Sequence, residues 1–257
     1  MKTKPLSTLS EKNLLLLLAV AVGLLCGLAA VILKKLIFLI REGLTSWFET
    51  PGDSFFYLLY PGIGMLLSLL FVKYLAKEDI SHGVTKVLLA VSRNESRIHP
   101  RNTWASIVAS ALTIGFGGSV GAEAPIVYTG AAIGSNVARK VGMSYRNMTL
   151  LLGCGAAAAV AGIFKAPMAG VLFTLEILLF NISMSSILPI MISSVTATVV
   201  TYLLMGNSVE FSNTIESFRM INIPGYLVLG IFCGGMSLYF IRTSMRLEDK
   251  LRRISKP

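Results

Sequence analysis

Gly117-Gly118-Ser119-Val120-Gly121-Ala122-Glu123-Ala124-Pro125 lies inside a long apolar stretch and sets a single carboxylate within it. Arg101 and Arg139 bracket that stretch, and Glu123 is the one charged residue between them. Burying a carboxylate near mid-membrane costs about 2.5–3.5 kcal/mol on insertion scales, so such a residue is a functional candidate by default. The glycines interrupt any helix arriving from the N-terminal side, and Pro125 suits the first turn of a new one. Residues 126–137 continue as that helix, so a helix N-terminus is predicted just after Glu123. Its unpaired N–H groups and partial positive charge attract an anion, either the Glu123 carboxylate or a diffusible ion, and the two compete. The structural alternative is a carboxylate that caps its own helix or pairs with a cation.

The surrounding composition makes the membrane the setting. Of 257 residues 54% are hydrophobic and 14% are charged, with mean hydropathy +0.72; soluble domains carry about 25% charged residues. An ordinary soluble globular domain is excluded. Residues 14–33 are free of charge, which at 1.5 Å per residue crosses roughly 30 Å of hydrocarbon. A signal peptide would have an apolar region of only about 7–15 residues. Lys34, Lys35 and Arg41 prolong the helix as amphipathic sequence, where they snorkel or face other helices, before Pro51 and Gly52 end it. The first helix is therefore expected to be long and tilted. Further apolar runs cover 55–72, 104–137 with breaks, 148–164, 168–180, 187–205 and 226–241. Several are too short to span alone. The expected fold is all-α, a polytopic membrane bundle with broken and tilted helices, whose irregular backbone lines a cavity or lies covered by protein.

The net charge of +10 follows the positive-inside pattern rather than pointing to nucleic acid. Lys and Arg number three before residue 13, none in 44–54, six in 73–103, one in 205–224 and six in 241–257. That alternation places both termini in the cytoplasm. The chain reads as a single membrane domain, 1–257, with 242–257 as a basic cytoplasmic segment. The pairs Gly23/Gly27, Gly117/Gly121, Gly130/Gly134 and Gly230/Gly234 have the spacing that lets helix backbones approach closely. Cys26, Cys154 and Cys233 sit apart in apolar runs, far from His82 and His99, so neither a disulfide framework nor a metal site is expected. No phosphate loop, zinc-protease motif or nucleophile elbow occurs, and no enzyme activity or cofactor is implied.

Two further segments are candidates. Ser81-His82-Gly83-Val84-Thr85 precedes a short apolar run, and Ser81 or His82 is placed to begin a helix there, although a lone histidine in a basic, polar stretch is more often a solvated loop residue. Lys165-Ala166-Pro167 separates two apolar helices, the second carrying Glu176. An unbroken helix would bring Lys165 and Glu176 to one face, but Pro167 intervenes, and structural anchoring competes with function.

Gly121-Ala122-Glu123-Ala124-Pro125, followed by Gly155-Ala156-Ala157-Ala158 and by Ala166-Pro167-Met168-Ala169-Gly170, resembles the CLC family of chloride channels and proton-coupled chloride exchangers. In that family a Gly-[Lys/Arg]-Glu-Gly-Pro segment holds the gating glutamate, and an earlier Gly-Ser-Gly-Ile-Pro segment lines the anion path. The resemblance implies that Glu123 is the outer gate. It implies that the backbone at Ser81, His82, Gly83, Gly121, Ala122 and Ala124 binds the anion, with His82 in the place of the lining serine. Ala122 stands for the family's basic residue, Ala124 for a glycine and Thr85 for a proline. Exchangers carry a second glutamate after the Ala-Pro-x-Ala-Gly motif. Glu176 matches the position just before it, on a proton path, and Ile177 occupies its place. Family members fold as two inverted halves, and this chain resembles the first half with the opening helix of the second. The resemblance further implies a chloride or other small-anion substrate, a lipid bilayer, a bacterial inner membrane and a homodimer when complete. The other readings are a truncated membrane scaffold that does not transport, and a transporter of another anion such as fluoride or nitrate.

Overall fold

The charge-free run near the N-terminus forms the middle of helix α1, Glu11–Thr45. Its 35 residues extend about 52 Å, well beyond the hydrocarbon thickness, which a tilt accommodates. Leu15, Leu18, Ala19, Val22, Cys26, Ala30 and Leu33 are buried at helical spacing, while Leu17, Leu24, Leu28 and Ile32 remain exposed on the opposite side. An exposed face of that composition is solvated by lipid tails rather than water. The computed structural model describes residues 11–46, 56–77, 83–178, 184–206 and 219–254. No strand occurs among them.

Helix α2, Phe56–Leu70, continues as a π-helical turn over Phe71–Ala76. It is followed by α3 (Gly83–Arg93), α4 (Asn102–Gly115), α5 (Glu123–Val141), α6 (Tyr145–Phe164), α7 (Pro167–Leu178) and α8 (Met184–Met205). Helices α3 and α7, at 11 and 12 residues, are too short to cross a bilayer, as the short apolar runs led us to expect. The described helices long and apolar enough to cross are α1, α2 with its π turn, α6, α8 and α9 (Ile223–Ile254). The chain is thus an all-helical, multi-pass membrane protein.

Two compact units are present, Met1–Glu210 and Phe211–Pro257. Within the described part of the second, a 3-10 turn at Met220–Asn222 leads into α9, which runs unbroken from its apolar half through Arg242, Arg246, Lys250 and Arg253.

Helix α6 is the centre of the first unit. Every residue from Leu151 to Ile163 is buried, and α5, α1, α8 and α7 all pack on it. A helix apolar on every side must be surrounded in this way. Small residues make the approach close. A Cβ on Gly130 would fall on the carbonyl oxygen of Gly155, and one on Gly134 on that of Leu151, so the backbones of α5 and α6 touch. The Gly23/Gly27 pair performs the same task between α1 and α8, facing Ser193 and Ala197. Gly117/Gly121 does not. Gly117 adopts φ +84° immediately after α4, and the Gly118 N–H donates to the Thr113 carbonyl at 2.9 Å, so this pair belongs to a helix stop and the break that follows.

Hydroxyls complete the packing by donating to carbonyls of neighbouring helices: Ser68 to Ala109 (3.1 Å), Ser193 to Cys154 (3.0 Å) and Thr198 to Ala161 (3.2 Å). The first joins α2 to α4 and the other two join α8 to α6, which compensates polar groups where no water is present.

Candidate anion site at two helix N-termini

Helix α5 begins at Glu123 itself, with Ala122 as its N-cap residue. An alanine offers no side-chain acceptor to the first-turn N–H groups, and no cap hydrogen bond is made. Among the described residues, the N–H groups of Ala122, Glu123 and Ala124 have no acceptor. Pro125 has no N–H to contribute. The terminus therefore presents unpaired donors and the positive end of the helix dipole.

The Glu123 side chain is exposed and folds back over the turn that precedes it. A Cβ on Gly121 would collide with its Oε2, so the glycine leaves room for the carboxylate at the end of its own helix. No ion pair or hydrogen bond holds Glu123 among the described residues. A tethered negative charge thus rests near the place where a free anion would be attracted.

The second expected segment enters the same place. Helix α3 starts at Gly83, which is buried, and a Cβ there would lie 2.5 Å from the Ala124 carbonyl oxygen and 3.4 Å from Tyr128 Cβ. The start of α3 and the first turn of α5 are therefore in backbone contact. Gly83 and Ala124 come together, with Glu123, Ala122 and Gly121 immediately before Ala124 in the chain. Ser81 and His82 lie outside the described residues. Two regions forty residues apart in sequence, each read as a helix N-terminus, meet at one point.

Glu123 and Ala122 also line a cavity of about 570 Å³, whose other walls include Lys34, Lys35 and Arg41 of α1 and Phe164 of α6. The sequence reading left these cations to snorkel or to face other helices, and did not connect them with Glu123. Their spacing carries a signal. Lys34 and Arg41 are seven residues apart, two helical turns, and so share a face.

Glu176 is exposed on α7 and forms no ion pair among the described residues, while Ile177 is half-buried. Lys165 is not its partner. The Lys165 ammonium donates to the Gly206 carbonyl at 2.8 Å and lies 5.3 Å from the centre of the Tyr202 ring. Lys165 ends α6 in a left-handed conformation at φ 55°, and its side chain ties that end to the end of α8. Of the two readings weighed for it, the structure displays the anchor.

Residues 63–257 match the protein family described as Voltage gated chloride channel. The chain is 29% identical over 258 residues to the chloride channel protein CLC-e of Arabidopsis thaliana, covering 93% of this chain and 36% of that relative. Its fold superposes on a crystal structure of a CLC-type fluoride/proton antiporter with a TM-score of 0.70 at 28% identity, over 89% of this chain and 54% of that one. A slow cyanobacterial Cl⁻/H⁺ antiporter gives a TM-score of 0.79 at 23% identity, over 96% and 59% respectively. The chain spans between about a third and three fifths of the length of these proteins.

Proposed function

Since the chain belongs to the voltage-gated chloride channel family, we propose that it forms half of a pathway carrying chloride or a similar small anion across the membrane, with Glu123 as the gate. The observation that carries the reading is the meeting of two helix N-termini at Gly83 and Ala124, beside a carboxylate that no cation neutralises.

The chemistry is electrostatic. Backbone N–H dipoles hold an anion without a full fixed positive charge, strongly enough for entry and weakly enough for release. Glu123 occupies the anion position as a tethered competitor and vacates it when protonated or displaced. Backbone donors depend on no particular side chain, so the replacement of the family's basic and glycine residues by Ala122 and Ala124 leaves them in place. Lys34, Lys35 and Arg41 line, together with Glu123, the cavity beside the gate, and cations near an anion path raise the local concentration of the opposite ion. They supply near the gate the positive charge that Ala122 lacks.

A second inverted half would provide the opposing wall, and two complete copies would pair as a homodimer in a bacterial inner membrane, with the termini cytoplasmic. The function is transport, not catalysis. Glu176 is the candidate on a proton path, and Ile177 in the place of the exchangers' second glutamate favours a passive channel. Fluoride is the second substrate to test, because a fluoride/proton antiporter is among the similar structures and helix-terminus sites are not intrinsically selective.

Anion efflux from liposomes tests the reading, using this chain alone and joined to the sequence that follows it in its gene. Flux from the joined form, competed by a second anion, supports it. Absence of flux from both forms would favour the non-transporting scaffold.

A further inference from the structure

A second cavity, of about 390 Å³, is lined along α5 by Tyr128 and Arg139 and shares no lining residue with the cavity beside Glu123. Small-ligand pockets begin at roughly 300 Å³. Four basic side chains converge on it from three segments: Lys86 of α3, Arg97 and His99 of the α3–α4 loop, and Arg139 near the end of α5. No acid is among its lining residues. The one carboxylate on the loop, Glu95, meets Arg97 at 3.2 Å on the exposed side, where the two side chains are 72% and 61% exposed.

The polar floor of this pocket is built rather than incidental. Asn102 is 2% exposed and Tyr128 6%, and the Asn102 Nδ2 donates to the Tyr128 hydroxyl at 2.9 Å. The loop above them is pinned. Ser135 donates to the Ser96 carbonyl at 2.6 Å and accepts from the Ile98 N–H at 3.1 Å, and the Ser96 and Thr149 hydroxyls are 2.7 Å apart. Glu95 and Ser96 hold successive left-handed conformations, at φ 50° and 60°, uncommon for residues other than glycine. Arg97 and His99 are carried to the pocket rim by this fixed turn. Basic residues that only oriented the chain in the membrane would have no need to converge.

The depth of the pocket is marked by aromatic side chains. Trp104, in the first turn of α4, and Tyr145, in the first turn of α6, are both about half exposed near this end of the bundle, and the Tyr145 hydroxyl donates to the Val91 carbonyl at 3.0 Å. Exposed Trp and Tyr of this kind sit at headgroup level. Arginine forks with lysine beside them suit a phosphate group, which accepts bidentate charge-assisted hydrogen bonds.

We infer that the Lys86–Arg97–His99–Arg139 pocket binds a phosphate monoester group, presented by an anionic lipid headgroup or by a soluble phosphate. The inference does not depend on Glu123 or on anion transport. It is tested by equilibrium binding to the whole chain in phosphatidylcholine nanodiscs, with phosphatidic acid added to the bilayer in one arm and inorganic phosphate to the solution in the other. Saturable binding in either arm, weakened at least ten-fold in an R97Q/R139Q variant and unchanged in K250Q/R253Q, is the expected result. Binding in the lipid arm alone identifies a headgroup site, and binding in the phosphate arm alone a soluble ligand. Both cations replaced in R97Q/R139Q are exposed, so folding is not at stake, and Lys86→Gln gives an independent variant with the same expected direction. No saturable binding in either arm, or equal binding by the parent and R97Q/R139Q, overturns the inference.

Discussion

Lys165 shows how one residue can hold a junction between three helices. A left-handed backbone costs a residue with a Cβ about 1–2 kcal/mol, and here the ammonium offsets that by bonding Gly206 and covering the Tyr202 ring. Lys165→Met keeps the backbone cost and removes the anchor, so it should lower stability by about 1–2 kcal/mol, measured as a lower melting temperature in detergent. Gly83 is the second residue with no tolerance. A side chain there meets the Ala124 carbonyl, and Gly83→Val should separate α3 from α5 at a cost of about 1–3 kcal/mol. Anion flux should fall about ten-fold for each 1.4 kcal/mol lost at the site, while Val84→Ile, one position on, leaves it near the parent rate. What was legible at this scale was chemistry set by local sequence. Glu123 stood out because it was the only charge in its stretch, and Pro125 fixed where the helix begins. The partner of Lys165 was not legible, because Gly206 lies forty-one residues away and only packing brings it near.

At the scale of elements, small residues decide the contacts. Gly130, Gly134 and Gly155 let α5 touch α6, and α6 is buried over its whole middle. Gly130→Leu should force these backbones apart, and the expected outcome is loss of the monodisperse folded protein in size-exclusion chromatography, whereas the same change at exposed Gly43, where nothing lies within 4 Å, leaves the profile unaltered. The GxxxG spacing predicted a close approach but not the partner, and it could not separate Gly130/Gly134, inside a helix, from Gly117/Gly121, where the chain turns. Spacing reports which residues share a face only if the helix continues, and φ +84° at Gly117 ends it. Helix α1 teaches the converse. Its period was legible, yet the proximity of Lys34, Lys35 and Arg41 to Glu123 depends on how α1 crosses α5 and α6. Replacing all three by Gln should slow anion entry several-fold at low ionic strength, with the parent and variant rates converging in high salt as charge is screened; stopped-flow flux at two salt concentrations reads this directly.

For the whole molecule, this family member spans between about a third and three fifths of the length of the relatives named above and places the starts of α3 and α5 side by side. Short helices that do not cross the bilayer are the price of aiming those termini at one point, and long neighbours such as α1, α6 and α8 shelter them. The break between α4 and α5 was legible because glycine and proline punctuate it, and the meeting of α3 with α5 was legible only through the family resemblance. The central claim is that the Glu123 carboxylate competes with the transported anion at this junction. The most direct measurement is chloride flux as a function of pH through the transport-competent form, comparing the parent with Glu123→Gln. A carboxylate competitor leaves its place on protonation, so parent flux should rise as pH falls, and the Gln variant, permanently neutral, should conduct at a rate nearly independent of pH. An unchanged pH dependence in Glu123→Gln would contradict the account and remove Glu123 from the gate.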